Sequence, residues 1–324
     1  MVEGAREGRG PSLRIVFFGT PQFAVPSLQH LVSSRHTVVG VVTQPDRPRG
    51  RGQKVIETPV KAAALEHGIP VIQPERLRDP AVDEAFSTWR PDLGVVAAYG
   101  KLLPEDLLRQ PRLGMINVHA SLLPKYRGAA PVHRAVIAGD AETGVTIMRM
   151  IKALDAGAMF ATVRRPIGRD ETSDTVEREL ATMGAALLIE VVEQIIAGTA
   201  LEEPQDEERS TYAPRLTKEE GLVDWSLSAS DIHNRVRGLY PWPHAYSYLD
   251  GRRLILLKTA LDDRQATAAP GTIVAVSADG IEVATGHGGR LAIQELQPEG
   301  RRPMRAREFL AGHPVREGAR FVRP

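Results

Sequence analysis

A chain of 324 residues, 42% hydrophobic and 25% charged, can bury a substantial core in one large or two smaller domains and carries no compositional sign of wholesale disorder. Its formal net charge of +1 argues against a surface coated with basic residues, so any contact with a polyanion must come from local patches. The absence of cysteine excludes disulfides, cysteine-bound zinc and a thiolate nucleophile. No apolar run reaches the roughly 18 residues of a membrane span. The charged, glycine-rich start does not read as a signal peptide, so a cytoplasmic location is expected. His-Glu-x-x-His and close histidine pairs are missing, so no metal is expected.

In chain order, residues 1–12 read as a flexible extension. Leu13 to Phe18 forms a short apolar run ended by Gly19-Thr20-Pro21, and Val25, Leu28, Leu31 and Val32 then fall at helical spacing. Thr37 to Val42 predicts a second strand. The loop after it carries four cations, Arg47, Arg49, Arg51 and Lys54, against one anion, Asp46. Thr58-Pro59 supplies an N-cap and a first-turn proline, and Gly68 a helix stop. Val71-Ile72, Leu93 to Ala98 and Met115 to Val118 are further strands, separated by helix-like segments from Pro80 to Thr88 and from Pro104 to Arg109. This alternation predicts an open, mainly parallel α/β sheet. Thr143 to Met150 and Met159 to Val163 are β-rich, Lys152 to Gly157 connects them, and a helix is expected from Ser173 to Ala197. The first domain is placed at 13–200 and an acidic surface linker at 201–218. In 219–324, paired short strands flank Asp250-Gly251 and Asp279-Gly280, and Leu291 to Leu296 adds a fifth, which predicts a small antiparallel OB-like barrel.

Asn117 and His119 sit two apart on one predicted strand and therefore project to one side, at the carboxyl end where open α/β sheets bind ligands. An amide and an imidazole there can stabilise an oxyanion, and a carboxylate can orient the imidazole; Asp155, in Leu-Asp-Ala-Gly, is the candidate. Each has a plainer reading: a histidine in a strand can be structural, Asp155 a turn residue, and the basic run a solvated loop. Gly19-Thr20-Pro21 lacks G-x-G-x-x-G, which disfavours a nicotinamide site. Trp225, Trp242, Tyr246 and Tyr248 read as barrel core or as stacking platforms. Arg301, Arg302, Arg305 and Arg307 form a second basic cluster.

Asn117-Val-His-x-Ser-Leu-Leu-Pro124, Arg127-Gly128-Ala-Ala-Pro131, Gly139 to Met148 and Leu154-Asp155-x-Gly157 together resemble the folate-dependent formyltransferases. Phe18-Gly-Thr-Pro21, Gln44 to Lys54, Asp224-Trp-Ser and Pro241-Trp-Pro243 narrow the resemblance to the branch that acts on an aminoacyl-tRNA. It covers about residues 13–324. The resemblance implies a Rossmann-like formyltransferase domain followed by an OB-like tRNA-binding barrel. The implied reaction moves the formyl group of 10-formyltetrahydrofolate to the α-amino group of initiator methionyl-tRNA, by direct amine attack and without a metal. Asn117, His119 and Asp155 match the catalytic trio, and Ser121, Leu122, Leu123 and Pro124 the folate-contacting segment. Arg51 matches the position that reads the acceptor stem, with Arg47, Arg49 and Lys54 in the same loop. A monomer is implied. Ala120 and Ala158 depart from the usual glycine and acidic residue, which puts loop geometry in question. The rivals are a formyltransferase for an amino-sugar nucleotide or other small amine, and an RNA-binding protein on a degenerate enzyme domain.

Overall fold

A computed structural model describes residues 12–49, 54–277 and 279–322. The expected extension at 1–12, apart from Ser12, and the loop centre at 50–53 with Arg51 lie outside them. The chain separates into two compact units. The first comprises Met1–Ala129, Gly144–Arg165 and Glu177–Tyr212, the second Ala130–Thr143, Pro166–Val176 and Ala213–Pro324.

The elements begin β1 (Arg14–Gly19), α1 (Val25–Ser33), β2 (Thr37–Val42), β3 (Arg47–Arg49), β4 (Lys54–Ile56), α2 (Pro59–Glu66), β5 (Val71–Ile72), α3 (Pro80–Trp89), β6 (Leu93–Ala97), α4 (Glu105–Leu108) and β7 (Met115–His119). They continue with β8 (Arg127–Gly128), α5 (Pro131–Ala138), β9 (Glu142–Arg149), β10 (Met159–Pro166), α6 (Ser173–Ala197), β11 (Tyr212–Ala213) and α7 (Ala229–Gly238). The last are β12 (Ala245–Leu249), β13 (Arg252–Asp262), β14 (Ile273–Val276), β15 (Ile281–Ala284), β16 (Arg290–Pro298), β17 (Met304–Arg305) and α8 (Ala306–Gly312).

Seven strands form one sheet in the order β10-β9-β7-β6-β1-β2-β5. β5, β2, β1, β6 and β7 run parallel to one another and β9 runs antiparallel to β7. Every residue of β6 and β7 is buried, as strands covered on both faces require, which is why they read as unbroken apolar runs. The Thr58 side chain accepts from Lys61 N at 3.2 Å and starts α2, and Asp79 accepts from Ala81 N at 3.0 Å to start α3. The expected basic loop is instead a short antiparallel ribbon, with Arg47 opposite Ile56 and Arg49 opposite Lys54.

α6 is the one helix among the described residues long and apolar enough to cross a bilayer. Its Val176, Leu180, Ala181, Ala185, Leu188, Val191 and Val192 are buried in the protein, while Arg178, Glu179 and Glu190 are exposed, which is the pattern of a core helix.

In the second unit the sheet order is β12-β13-β16-β15-β14, with β17 on β16, and the pairings are antiparallel. Asp250 (φ 49°) and Gly251 (φ 74°) turn β12 into β13 in the left-handed conformation a two-residue hairpin needs. The final segment joins the two edges: Val322 N donates to Tyr248 O on β12 at 2.9 Å, and Phe321 N to Gly271 O ahead of β14 at 2.8 Å. That bridge is how the sheet protects its open sides. Trp225 belongs to the core, donating to Ser247 Oγ at 3.0 Å, whereas Trp242 is half exposed.

α7 was not foreseen in the sequence, because its buried face holds His233 and Arg237 beside Ile232 and Val236. The His233 ring meets Thr259 Oγ1 at 2.9 Å and Arg169 O at 3.0 Å, and burial pushes its imidazole below the ordinary 6.5. The unfolded chain therefore takes up the proton more readily. The stability His233 contributes is complete above pH 6.5 and is lost as pH falls through the folded value. Urea titrations between about pH 7 and about pH 5 should show a shallower loss of stability in His233→Gln than in the parent; parallel curves would remove His233 as the source.

Candidate active site

Asn117 and His119 stand at the carboxyl end of β7, opposite Met148 and Thr146 of β9. Val118 points the other way, toward α6, close enough that a Cβ on Gly184 would lie 2.9 Å from its Cγ1. Strand alternation thus gives the amide and the imidazole a shared face turned away from α6. Asn117 is 9% exposed and His119 5%. The Asn117 amide makes no side-chain hydrogen bond among the described residues, yet its polar atoms are not sealed from solvent. With no internal partner to give up, the amide is a ready donor for a substrate oxygen.

The tautomer of His119 follows from its neighbours. Nε2 lies 3.0 Å from the Tyr126 carbonyl, which can only accept, so Nε2 carries a proton and donates. Nδ1 faces Asp155 Oδ2 at 3.7 Å, within ion-pair range but long for a direct hydrogen bond. The ring is therefore anchored through Nε2, and Nδ1 is the nitrogen able to exchange a proton beside a carboxylate. Asp155 Oδ2 also accepts from Gly128 N at 2.9 Å. Asp155 sits at φ 48°, a left-handed conformation uncommon outside glycine, asparagine and aspartate. Gly157 lets that loop close onto β9, since a Cβ there would lie 1.9 Å from Arg149 O.

The four residues after Ala120 divide. Ser121 is fully buried and its hydroxyl donates to Lys125 O at 2.6 Å. Leu123 is buried too, and its N donates to Thr146 Oγ1 at 3.2 Å. Leu122 and Pro124 are half-buried and keep surface for a ligand. A cavity of about 460 Å³ lies at the other end of β7, around Gly114, Met115 and Arg149, and contains none of these residues. Three of its four cations are committed, Arg112 to Asp92, Arg109 to Glu105 and Arg149 to Glu202, while the fourth, Lys152, is exposed. Among the described residues no group of three His, Asp or Glu is placed to hold a metal ion.

The Formyl transferase family model matches residues 13–192, more than half of the chain, and the family's C-terminal domain model matches 215–314. The chain belongs to the formyl transferase family. This formyltransferase is 47% identical over 305 residues to the methionyl-tRNA formyltransferase of Bacillus subtilis, covering 94% of this chain and 96% of the relative. To that of Trichlorobacter lovleyi it is 48% identical over 305 residues, with the same coverage of both chains. Among solved structures, the N-formyltransferase of Helicobacter canadensis, in complex with folinic acid and dTDP-3-aminofucose, aligns with TM-score 0.66 at 16% identity over 87% of this chain and 98% of its own. That likeness speaks to the fold alone.

In this formyltransferase the structure brings together Asn117, His119 and Asp155, and groups Ser121 to Pro124 beside them in sequence. Arg47 is exposed on β3; the side chains of Arg49 and Lys54, like Arg51, fall outside the described residues. Sequence reasoning missed the Gly128 N–H and the Tyr126 carbonyl, because backbone groups carry no residue signal. The Arg127-Gly128 motif was the only trace of them.

Proposed function

We propose that the protein transfers the formyl group of 10-formyltetrahydrofolate to the α-amino group of initiator methionyl-tRNA, the step that prepares the charged tRNA for translation initiation. The acceptor rests on one observation: near-full-length similarity to methionyl-tRNA formyltransferases that extends through both units. The donor is a substrate that leaves after each cycle. Leu122 and Pro124, which are half-buried, and the open amide of Asn117 are among the groups of the described residues that can hold it.

In the reaction the amine, partly neutral near pH 7 because α-amino pKa values lie at about 8 or below, attacks the formyl carbon. A carbon–nitrogen bond forms and the carbonyl oxygen becomes an oxyanion that the Asn117 N–H groups can meet. As the oxyanion collapses, the bond to the folate nitrogen breaks. The proton lost by the attacking amine has to reach that nitrogen. Asp155 and His119 Nδ1 provide the relay, with water completing it, while the Nε2 bond to Tyr126 O keeps the ring fixed. No covalent intermediate with the protein is involved. Water exclusion and alignment of the two substrates supply the rest of the acceleration.

The decisive assay offers purified protein 10-formyltetrahydrofolate with either methionyl-tRNA or an amino-sugar nucleotide. Formylation of tRNA-bound methionine alone is expected. Formylation of the sugar amine alone would replace the acceptor, and no formylation of either would leave an RNA-binding role. The tRNA contact is assigned to Arg47, Arg49, Arg51 and Lys54 with the basic face of the second unit, where Arg301, Arg302, Arg305 and Arg307 are exposed. Such contacts act through phosphates and weaken with salt. Arg51→Ala should weaken binding of charged tRNA and lower the slope of log affinity against log salt by about one, with the rate at saturating tRNA unchanged. An unaltered salt slope would make the loop a solvated feature.

A further inference from the structure

The acidic stretch read from the sequence as a surface linker is tied to the catalytic unit along its first half. Glu202 pairs with Arg149 at 2.5 Å. The backbone of Glu203 exchanges hydrogen bonds with Met159 at 2.8 and 2.9 Å. The Thr211 carbonyl accepts from Arg127 N at 2.8 Å and its hydroxyl accepts from Tyr126 N, also at 2.8 Å. Between these anchors lies Gln205, half-buried.

The side chain of Gln205 is satisfied at both ends by the walls of the site. Nε2 donates to Asp155 O and to Gly157 O, each at 2.8 Å. Oε1 accepts from Arg127 Nε at 3.0 Å and from Arg127 Nη2 at 2.8 Å. Arg127 is further held by Glu207 at 2.8 and 2.9 Å, and its guanidinium keeps that carboxyl below its ordinary value. The orientation of the amide is fixed, because carbonyls only accept and a guanidinium only donates.

We propose that Gln205 is a positioning residue for Asp155. It joins the loop that carries the carboxylate to the strand whose Gly128 N–H holds that same carboxylate, so one amide sets both sides of the Asp155 geometry. The need for an outside clamp is visible in the loop itself. Residues 151–154 are exposed, and Asp155 adopts a left-handed backbone that its own segment does not enforce. Without the clamp, the distance from Asp155 to His119 Nδ1 is free to drift, and small misplacements of a reacting group can cost up to about a hundredfold in rate. The inference rests on the reading of Asp155 as part of the catalytic trio.

Two variants of the full-length protein test it. Gln205→Met keeps the length and removes every hydrogen bond, whereas Gln205→Glu keeps an acceptor for Arg127 and removes both donors to the loop. In single-turnover formylation both should be slower by about ten- to a hundredfold, with KM for either substrate within about twofold and an unchanged melting temperature. In an Asp155→Ala background, Gln205→Met should add little, since both changes remove the same function. Parent-like rates in both variants, or a full additional loss in the Asp155→Ala background, would overturn the clamp. If Asp155→Ala itself turns over normally, the reading of Asp155 fails first and the clamp with it, a result distinct from a silent Gln205 alone.

Discussion

Asn117→Ala is expected to slow single-turnover formylation by about 10²- to 10³-fold, the usual loss when one oxyanion donor is removed. The size of the effect follows from what Asn117 does not do. Its side chain makes no hydrogen bond within the described protein, so deleting it breaks no internal hydrogen bond. The stability change should therefore be small, and the loss should appear in the chemical step. Asn117→Asp sharpens the test, since it keeps the shape, removes the donors and places a charge of the same sign beside the developing oxyanion. It should be at least as slow as the alanine variant. His119→Ala is less clean, because it also removes the bond from Nε2 to the Tyr126 carbonyl. A combined measurement of melting temperature and quenched-flow rate separates the two cases. An Asn117→Ala protein with the parent rate would remove the amide from the mechanism.

The α/β grammar was legible because the central strands are buried on both faces. β6 and β7 show as continuous apolar segments, and the two polar residues of β7, Asn117 and His119, stand out against that background. The Asp250-Gly251 turn was legible for a different reason, since its two positive φ values demand particular residues. α5 went unread although Val132, Ala135 and Val136 are buried at helical spacing, because the stretch is short and opens on a loop motif. α7 hides its periodicity behind the buried His233 and Arg237. The segment 201–212 reads as polar because its acids and amides find partners distant in sequence: Glu202 at Arg149, Gln205 and Glu207 at Arg127. Local composition cannot report a hydrogen bond across 78 positions, as that from Arg127 to Gln205 is. The residues of the proposed catalytic trio were thus legible as residue types, while the Gln205 contacts proposed to position Asp155 were not.

Gly157→Ala should reduce turnover about as far as a direct disturbance of Asp155, roughly a hundredfold, although it touches no reacting group. A Cβ at Gly157 would lie 1.9 Å from Arg149 O and 2.9 Å from Arg149 C. Both are backbone atoms of β9, so no side chain can swing aside, and the loop itself has to lift. Lifting it stretches the bond from Arg149 N to Ala158 O, now 2.8 Å, and the bond from Gln205 Nε2 to Gly157 O, also 2.8 Å. Overpacking of this kind typically costs about 1–3 kcal/mol, which should register as a lowered melting temperature in a protein that still folds. The carboxylate two residues back then leaves its place facing His119 Nδ1. Gly68 is the matched control: it needs its positive φ of 65°, but nothing lies within 4 Å of its missing Cβ. Gly68→Ala should cost stability through backbone strain and leave turnover unchanged. If Gly157→Ala were destabilised to a similar degree yet kept the parent single-turnover rate, the reaction would not depend on where the loop holds Asp155, and the proton relay would have to be rebuilt around His119 alone.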